Sequence, residues 1–157
     1  MKITLVTVGK TGDKNIEQLV GRYFERLTHY IKFEIKTIPD IKGGRSMTVD
    51  RQKTVEGESI LKLLRPTDHV ILLDERGKEY TSQGFADILA LHLNHVTRDI
   101  VFVVGGPYGF SQPVYQRADD SMALSRMTLT HEMVRLFFVE QLYRAFTIIR
   151  GENYHHQ

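Results

Sequence analysis

Cysteine is absent from the 157 residues, which excludes a disulfide framework, a thiol nucleophile and a cysteine metal site together. That suits a reducing, cytoplasmic setting. No apolar run approaches the roughly 20 residues of a membrane span, and residues 3–8 break at Gly9-Lys10 too soon to form a signal-peptide core. Two nucleotide-binding signatures are also missing. No Gly-Lys-Ser/Thr opens a helix as a P-loop requires, and no Gly-x-Gly-x-x-Gly joins the first strand to its helix as a dinucleotide site requires. His92 and His95 stand one helical turn apart without a matching third ligand, so they read as surface histidines and no metal is expected.

What remains is an ordinary globular composition, 41% hydrophobic and 25% charged, in a length that fits one domain over residues 1–157. Residues 2–8 read as a strand. Ile16, Leu19, Val20, Tyr23, Phe24, Leu27, Tyr30 and Ile31 then recur at helical spacing, and residues 33–38 form a second strand stopped by Pro39. A helix over 50–64, a strand over 68–73, a charged turn over 74–79 and a helix capped by Ser82 follow. Residues 100–104 are a β-branched run suited to a strand buried on both faces. One helical turn over 113–118 and a short strand over 122–127 lead into a last helix, 130–149. This alternation predicts an α/β domain of three layers around a parallel sheet. The last helix is apolar nearly all round, which predicts burial on both sides and hence a homodimer.

Gly105-Gly106-Pro107-Tyr108-Gly109 closes the buried strand. Ligands of open α/β sheets sit at the carboxyl ends of the strands, so this loop is the candidate site. Pro107 lacks the amide that a phosphate cradle would use, which points to a ligand other than a polyphosphate. A plain strand-ending turn explains the loop equally well. Charge is unevenly spread. Residues 1–66 carry 13 Lys/Arg against 8 Asp/Glu and residues 67–157 carry 8 against 11, giving +5 and −3. A basic amino-terminal half, with a mobile loop over 40–49 containing Lys42-Gly43-Gly44-Arg45, suits nucleic acid and equally suits a solvated surface.

Three stretches resemble one family. Val103-Val104-Gly105-Gly106-Pro107-Tyr108-Gly109, the run Ala123-Leu124-Ser125-Arg126-Met127-Thr128-Leu129-Thr130-His131, and Glu140-Gln141-Leu142-Tyr143-Arg144-Ala145-Phe146 with the tail Tyr154-His155 are similar to the SPOUT-type ribosomal large-subunit pseudouridine methyltransferases. The resemblance implies a homodimeric fold with a deep trefoil knot in its carboxy-terminal half. It implies methyl transfer from S-adenosyl-L-methionine to N3 of a pseudouridine in 23S rRNA of the assembled ribosome. By position, Leu73, Gly105, Leu124, Ser125, Arg126, Met127, Thr128 and Leu129 would hold the cofactor. Tyr154 or His155 would handle the proton of the target base, and Arg144 would contact RNA or stabilise negative charge. Tyr108 would pack over the cofactor or close the turn, and His131 would be local and structural. Glu132 departs from the family, which often has proline there.

Overall fold

The computed structural model describes residues 1–156. Five parallel strands, β1 (Lys2–Val8), β2 (Lys32–Ile38), β3 (His69–Glu79), β4 (Ile100–Val104) and β5 (Asp120–Ala123), form one sheet in the order β2-β1-β4-β3-β5. Every residue of β4 is buried, because helices cover both faces. Ile100, Phe102 and Val104 point into a core shared with α1 (Lys14–Leu27), α3 (Ser82–His95) and α5 (His131–Ile149). Val101 and Val103 point the other way, toward α2 (Val49–Leu63) and α4 (Gln112–Arg117). The three layers expected from the alternation of elements are present.

Helix starts follow side-chain capping. Asp13 accepts the amides of Asn15 and Ile16, Thr48 that of Arg51 and Thr130 that of Met133, each satisfying a donor that the first turn leaves free. α3 differs from the expected start. Thr81 is its cap and accepts the Gly84 amide, while Ser82 lies inside the helix and donates to Gln141 of α5 at 2.8 Å.

Two further boundaries move. Residues 74–79, expected as a turn, belong to β3. Met122 is opposite both Leu73 and Lys78, so residues 74–77 bulge out between two paired segments. Their charged residues have the composition of a turn because they make no ladder of their own. The last strand stops at Ala123 instead of reaching 127, and the Ser125 hydroxyl accepts the Met127 amide in a local turn that competes with strand pairing.

α5 buries Phe138, Val139, Leu142, Ala145 and Phe146 on the sheet side. Its opposite side is open in the single chain, where Phe137 is 44% exposed. Its first turns clamp the segment after β1. Buried Arg135 donates to the carbonyls of Val8 and Gly9 and to the Thr11 hydroxyl, and Glu132 accepts the amides of Gly12 and Asp13 at 2.5 and 3.3 Å. Glu132 thus has a structural use that proline at this position would not supply. These bonds fix the start of α5 at the carboxyl edge of the sheet.

Candidate active site at the carboxyl edge of the sheet

The loop after β4 is shaped by what its glycines touch. A Cβ on Gly106 would lie 2.3 Å from the Glu56 carboxylate, and one on Gly105 would lie 3.0 Å from the Phe110 ring. Gly109 takes φ +81° and donates its amide back to the Gly106 carbonyl at 3.2 Å. The loop is therefore pressed onto α2 and Phe110 with no room for side chains at its first two positions.

In front of it lies a cavity of about 520 Å³, within the roughly 300–1,000 Å³ of small-molecule sites. Leu73, Leu124, Leu129 and Val134 give it apolar walls, and the bulge of β3 adds Asp74 and Glu75. Of the residues expected at a cofactor, Leu73, Gly105, Leu124, Ser125, Met127, Thr128 and Leu129 line this cavity. Arg126 does not. It turns outward to an ion pair with Glu79, its side chain 86% exposed. The Thr128 hydroxyl donates to Glu75 at 3.1 Å, so the run after β5 is tied back to the bulge of β3. Asp74 accepts the Tyr115 hydroxyl, and burial together with that bond raises the Tyr115 pKa. Asp74 and Glu75 were missed because a strand interrupted by a bulge looks like a charged turn in one dimension.

Arg144, Tyr154 and His155 also come together, around Glu140. Arg144 donates to Glu140 at 2.5 Å and to His155 Nδ1 at 3.2 Å, and the Tyr154 hydroxyl donates to Glu140 at 3.1 Å. The guanidinium stands 4.8 Å from the Tyr154 ring centroid. Burial, aided by Tyr23 and Glu140, pushes the Tyr154 phenol well above its ordinary range, so it stays protonated at neutral pH. Arginine only donates, so His155 Nδ1 is the acceptor in this bond, and Nε2 is buried with no partner among the described residues. The Glu140 bond raises the Arg144 pKa, keeping it cationic.

These residues do not reach the cavity of their own chain. The cavity's last lining residue on α5 is Val134, and Arg144 lies 10 residues beyond it, roughly 15 Å along the helix. His131 stands exposed between the cavity and the solvent. His92 rests on His69, ring centroids 4.4 Å apart. Among the described residues no group of three His, Cys, Asp or Glu could hold a metal ion.

Glu56 gives the loop a pH signature. It is 5% exposed, and burial raises its pKa from 4.5, opposed by bonds from Gln52 and the Gly106 amide. The folded chain therefore holds this proton more tightly than the unfolded one. The stabilisation is complete below pH 4.5 and is lost as pH rises through the elevated value. Glu56→Gln is expected to flatten that slope and to melt no lower than the wild type at about pH 7.5, measured by thermal unfolding across the range.

The family model described as "Predicted SPOUT methyltransferase" matches residues 1–155. The chain is 50% identical to the Ribosomal RNA large subunit methyltransferase H of Christiangramia forsetii and to that of Flavobacterium johnsoniae, and 47% identical to that of Bacteroides thetaiotaomicron. Each match covers 157 residues and 100% of both chains.

Proposed function

The chain belongs to the SPOUT methyltransferase family, and from that premise we propose that it transfers a methyl group from S-adenosyl-L-methionine to N3 of a pseudouridine in 23S rRNA of the assembled ribosome. Its relatives are named as methyltransferases of large-subunit ribosomal RNA. The observation that carries the reading is the cavity between β3, the glycine loop and residues 124–131.

The cavity suits the methyl donor. Leu73, Leu124 and Leu129 offer apolar surface to an adenine, and Gly105 and Gly106 let backbone approach where a Cβ would already collide with the protein. Asp74 and Glu75 bring negative charge to a cavity that would receive a cationic ligand. Bound there, S-adenosyl-L-methionine supplies an electrophilic methyl group. The protein's share is orientation, which alone is worth several powers of ten in rate, and removal of the N3 proton. In the cluster around Glu140, the neutral His155 imidazole takes the N3 proton at Nδ1, the lone pair that faces Arg144, its Nε2–H is left to meet a carbonyl of the base, and Tyr154 stays bonded to Glu140. Arg144 stabilises the negative charge that forms as the proton leaves, and Glu140 fixes Arg144 and Tyr154 directly and His155 through Arg144.

A homodimer follows from two features. The cluster lies too far from the cavity of its own chain, and α5 leaves an apolar side open. Two copies packed on that side join one copy's tail to the other's cavity. The reading takes residues 1–157 as a single domain, with the run 124–129 as the part of a deep trefoil knot that encloses the cofactor. Its tie to Glu75 supports that closure. No helix among the described residues is long and apolar enough to cross a membrane, and a ribosomal substrate places the enzyme in the cytoplasm.

Incubation with labelled S-adenosyl-L-methionine and ribosomes from cells lacking the modification, followed by mass-spectrometric mapping, tests the proposal. Label on N3 of a large-subunit pseudouridine is expected. Label on another nucleotide would retain the family and change the target, and absence of cofactor binding would leave a noncatalytic RNA-binding protein.

A further inference from the structure

The first turn of α5 carries part of the cavity wall and has little apolar packing to hold it. Thr130, His131 and Val134 line the cavity, yet none of residues 130–134 is buried, and burial along the helix begins at Arg135. First turns also leave amides without helical partners, and segments with few buried contacts open more readily than a core helix. We infer that Arg135 is a positioning residue whose guanidinium locks this turn to the end of β1 and so keeps the methyl donor's cavity formed. The inference rests on the methyltransferase reading and adds what holds the donor site in shape.

Helical spacing sets the arrangement. With about 3.6 residues per turn, Thr130, Val134 and His131 occupy one arc of α5, and Arg135 and Glu132 occupy the arc beside it. Whatever fixes the second arc fixes the rotation of the first. β1 pairs with β4 only as far as Val6, so the carbonyls of Val8 and Gly9 lie beyond that ladder. Arg135 supplies their donor from one nitrogen at 2.7 and 2.8 Å and reaches the Thr11 hydroxyl from the other at 2.9 Å. The anchor is itself confined. Gly9 takes φ +77° and donates to the Ile38 carbonyl at 2.7 Å, and a Cβ there would stand 2.6 Å from the Asp40 carboxylate. Glu132 adds its bonds to the Gly12 and Asp13 amides, so two side chains three residues apart hold the whole segment between β1 and α1.

The choice of arginine is informative. Arg135 is 4% exposed and forms no ion pair among the described residues, and its Nε has no partner there. Burying a guanidinium without a counter-ion is costly, and a packed apolar side chain often serves stability as well or better. Methionine would fill the space and reach no acceptor. Lysine would bring the charge on a single nitrogen, where the guanidinium bonds from two. What only arginine provides is the placement of the turn. His131 stands between the donor cavity and a second one, of about 660 Å³, that Val8 and Asp40 also line, so the clamp holds a wall of each.

Arg135→Met and Arg135→Lys test this against Leu27→Ala, which empties a fully buried position at the far end of α1. Arg135→Met is expected to bind S-adenosyl-L-methionine about 30-fold more weakly by calorimetry, at a temperature where its unfolding curve shows it folded, because only the fraction with the turn in place binds. Arg135→Lys is expected to fall between it and the wild type, and Leu27→Ala to stay within about twofold of wild-type affinity although it melts lower. Hydrogen exchange reads the clamp without a ligand. The Met133 and Val134 amides, bonded to Thr130 at 3.2 and 2.9 Å, are expected to exchange at least about tenfold faster in Arg135→Met, relative to the amides of β4. Wild-type affinity in Arg135→Met, wild-type exchange at those two amides, or an equal loss of affinity in Leu27→Ala overturns the inference. If Arg135→Met does not fold, wild-type affinity and exchange in Arg135→Lys overturn it. Wild-type protein that binds no S-adenosyl-L-methionine overturns the parent reading instead, and exchange still decides the clamp.

Discussion

Two variants that are each inactive are expected to regain activity when combined in one dimer. Val134→Trp puts an indole into the cavity proposed for the cofactor from the first turn of α5, and Arg144→Ala removes the cation from the cluster at the far end of the same helix. Each alone is expected to reduce single-turnover methylation about 10²–10⁴-fold, the range associated with losing positioned acid–base groups. If the tail of one copy serves the cavity of the other, a heterodimer keeps one intact site made from the two unaltered halves. Equal co-expression then gives about a quarter of wild-type activity, since half the dimers are mixed and each has one working site of two. The roughly 15 Å of helix between cavity and cluster is the reason. Differently tagged copies purified through both tags are all mixed dimers, so methyl incorporation by that fraction is expected at about half of the wild-type level. Mixed dimers as inactive as either parent would rule out sharing of the site, and a protein monomeric at assay concentration would remove its basis.

The second large effect is on stability. Gly77 closes the bulge of β3, and a Cβ there would stand 2.7–2.8 Å from the backbone N, Cα and C of Met122. Backbone on both sides cannot give way as a flexible side chain can. Gly77→Ala is expected to cost about 3 kcal/mol or more, as overpacking does at its upper end, and to lower Tm by about 6–12 °C in a domain of this size. It also disturbs the strand that presents Asp74 and Glu75, so cofactor affinity should fall with it. Gly21→Ala supplies the contrast. That glycine is in the middle of α1 with nothing within 4 Å of its would-be Cβ, so alanine is expected to stabilise by about 0.5–1 kcal/mol. Thermal and urea unfolding of the two variants check both signs, and equal melting temperatures would refute the reading of the bulge.

Much of the molecule is legible in one dimension. β4 is five consecutive buried apolar residues, and only a strand covered on both faces accepts that run in so short a segment. The caps Asp13 and Thr130 are local chemistry, because a side chain meeting amides two or three residues away needs no tertiary partner. The glycine loop marked the carboxyl edge for the same reason that it forms there: glycines occupy the positions where a side chain would collide. Seven of the eight residues expected at the cofactor line one cavity, because they lie on segments that adjoin at strand ends.

The rest depended on contacts between segments distant in sequence. The bulge at residues 74–77 exists because β5, some 45 residues later, pairs on both sides of it. Arg126 faces outward because Glu79 waits there, and Ser82 lies inside its helix because Thr81 caps it and Gln141 accepts its hydroxyl. Glu56, an ordinary acid in an amphipathic helix, becomes a buried carboxyl only when the loop 50 residues onward settles against it. Sequence by itself determined the elements, the sheet class and the edge at which the candidate site lies, since periodicity, capping and glycine geometry act over a few residues. Tertiary structure alone decided which charged groups face the cavities and which face away, because the burial and pairing of a charge depend on what another part of the chain brings to it.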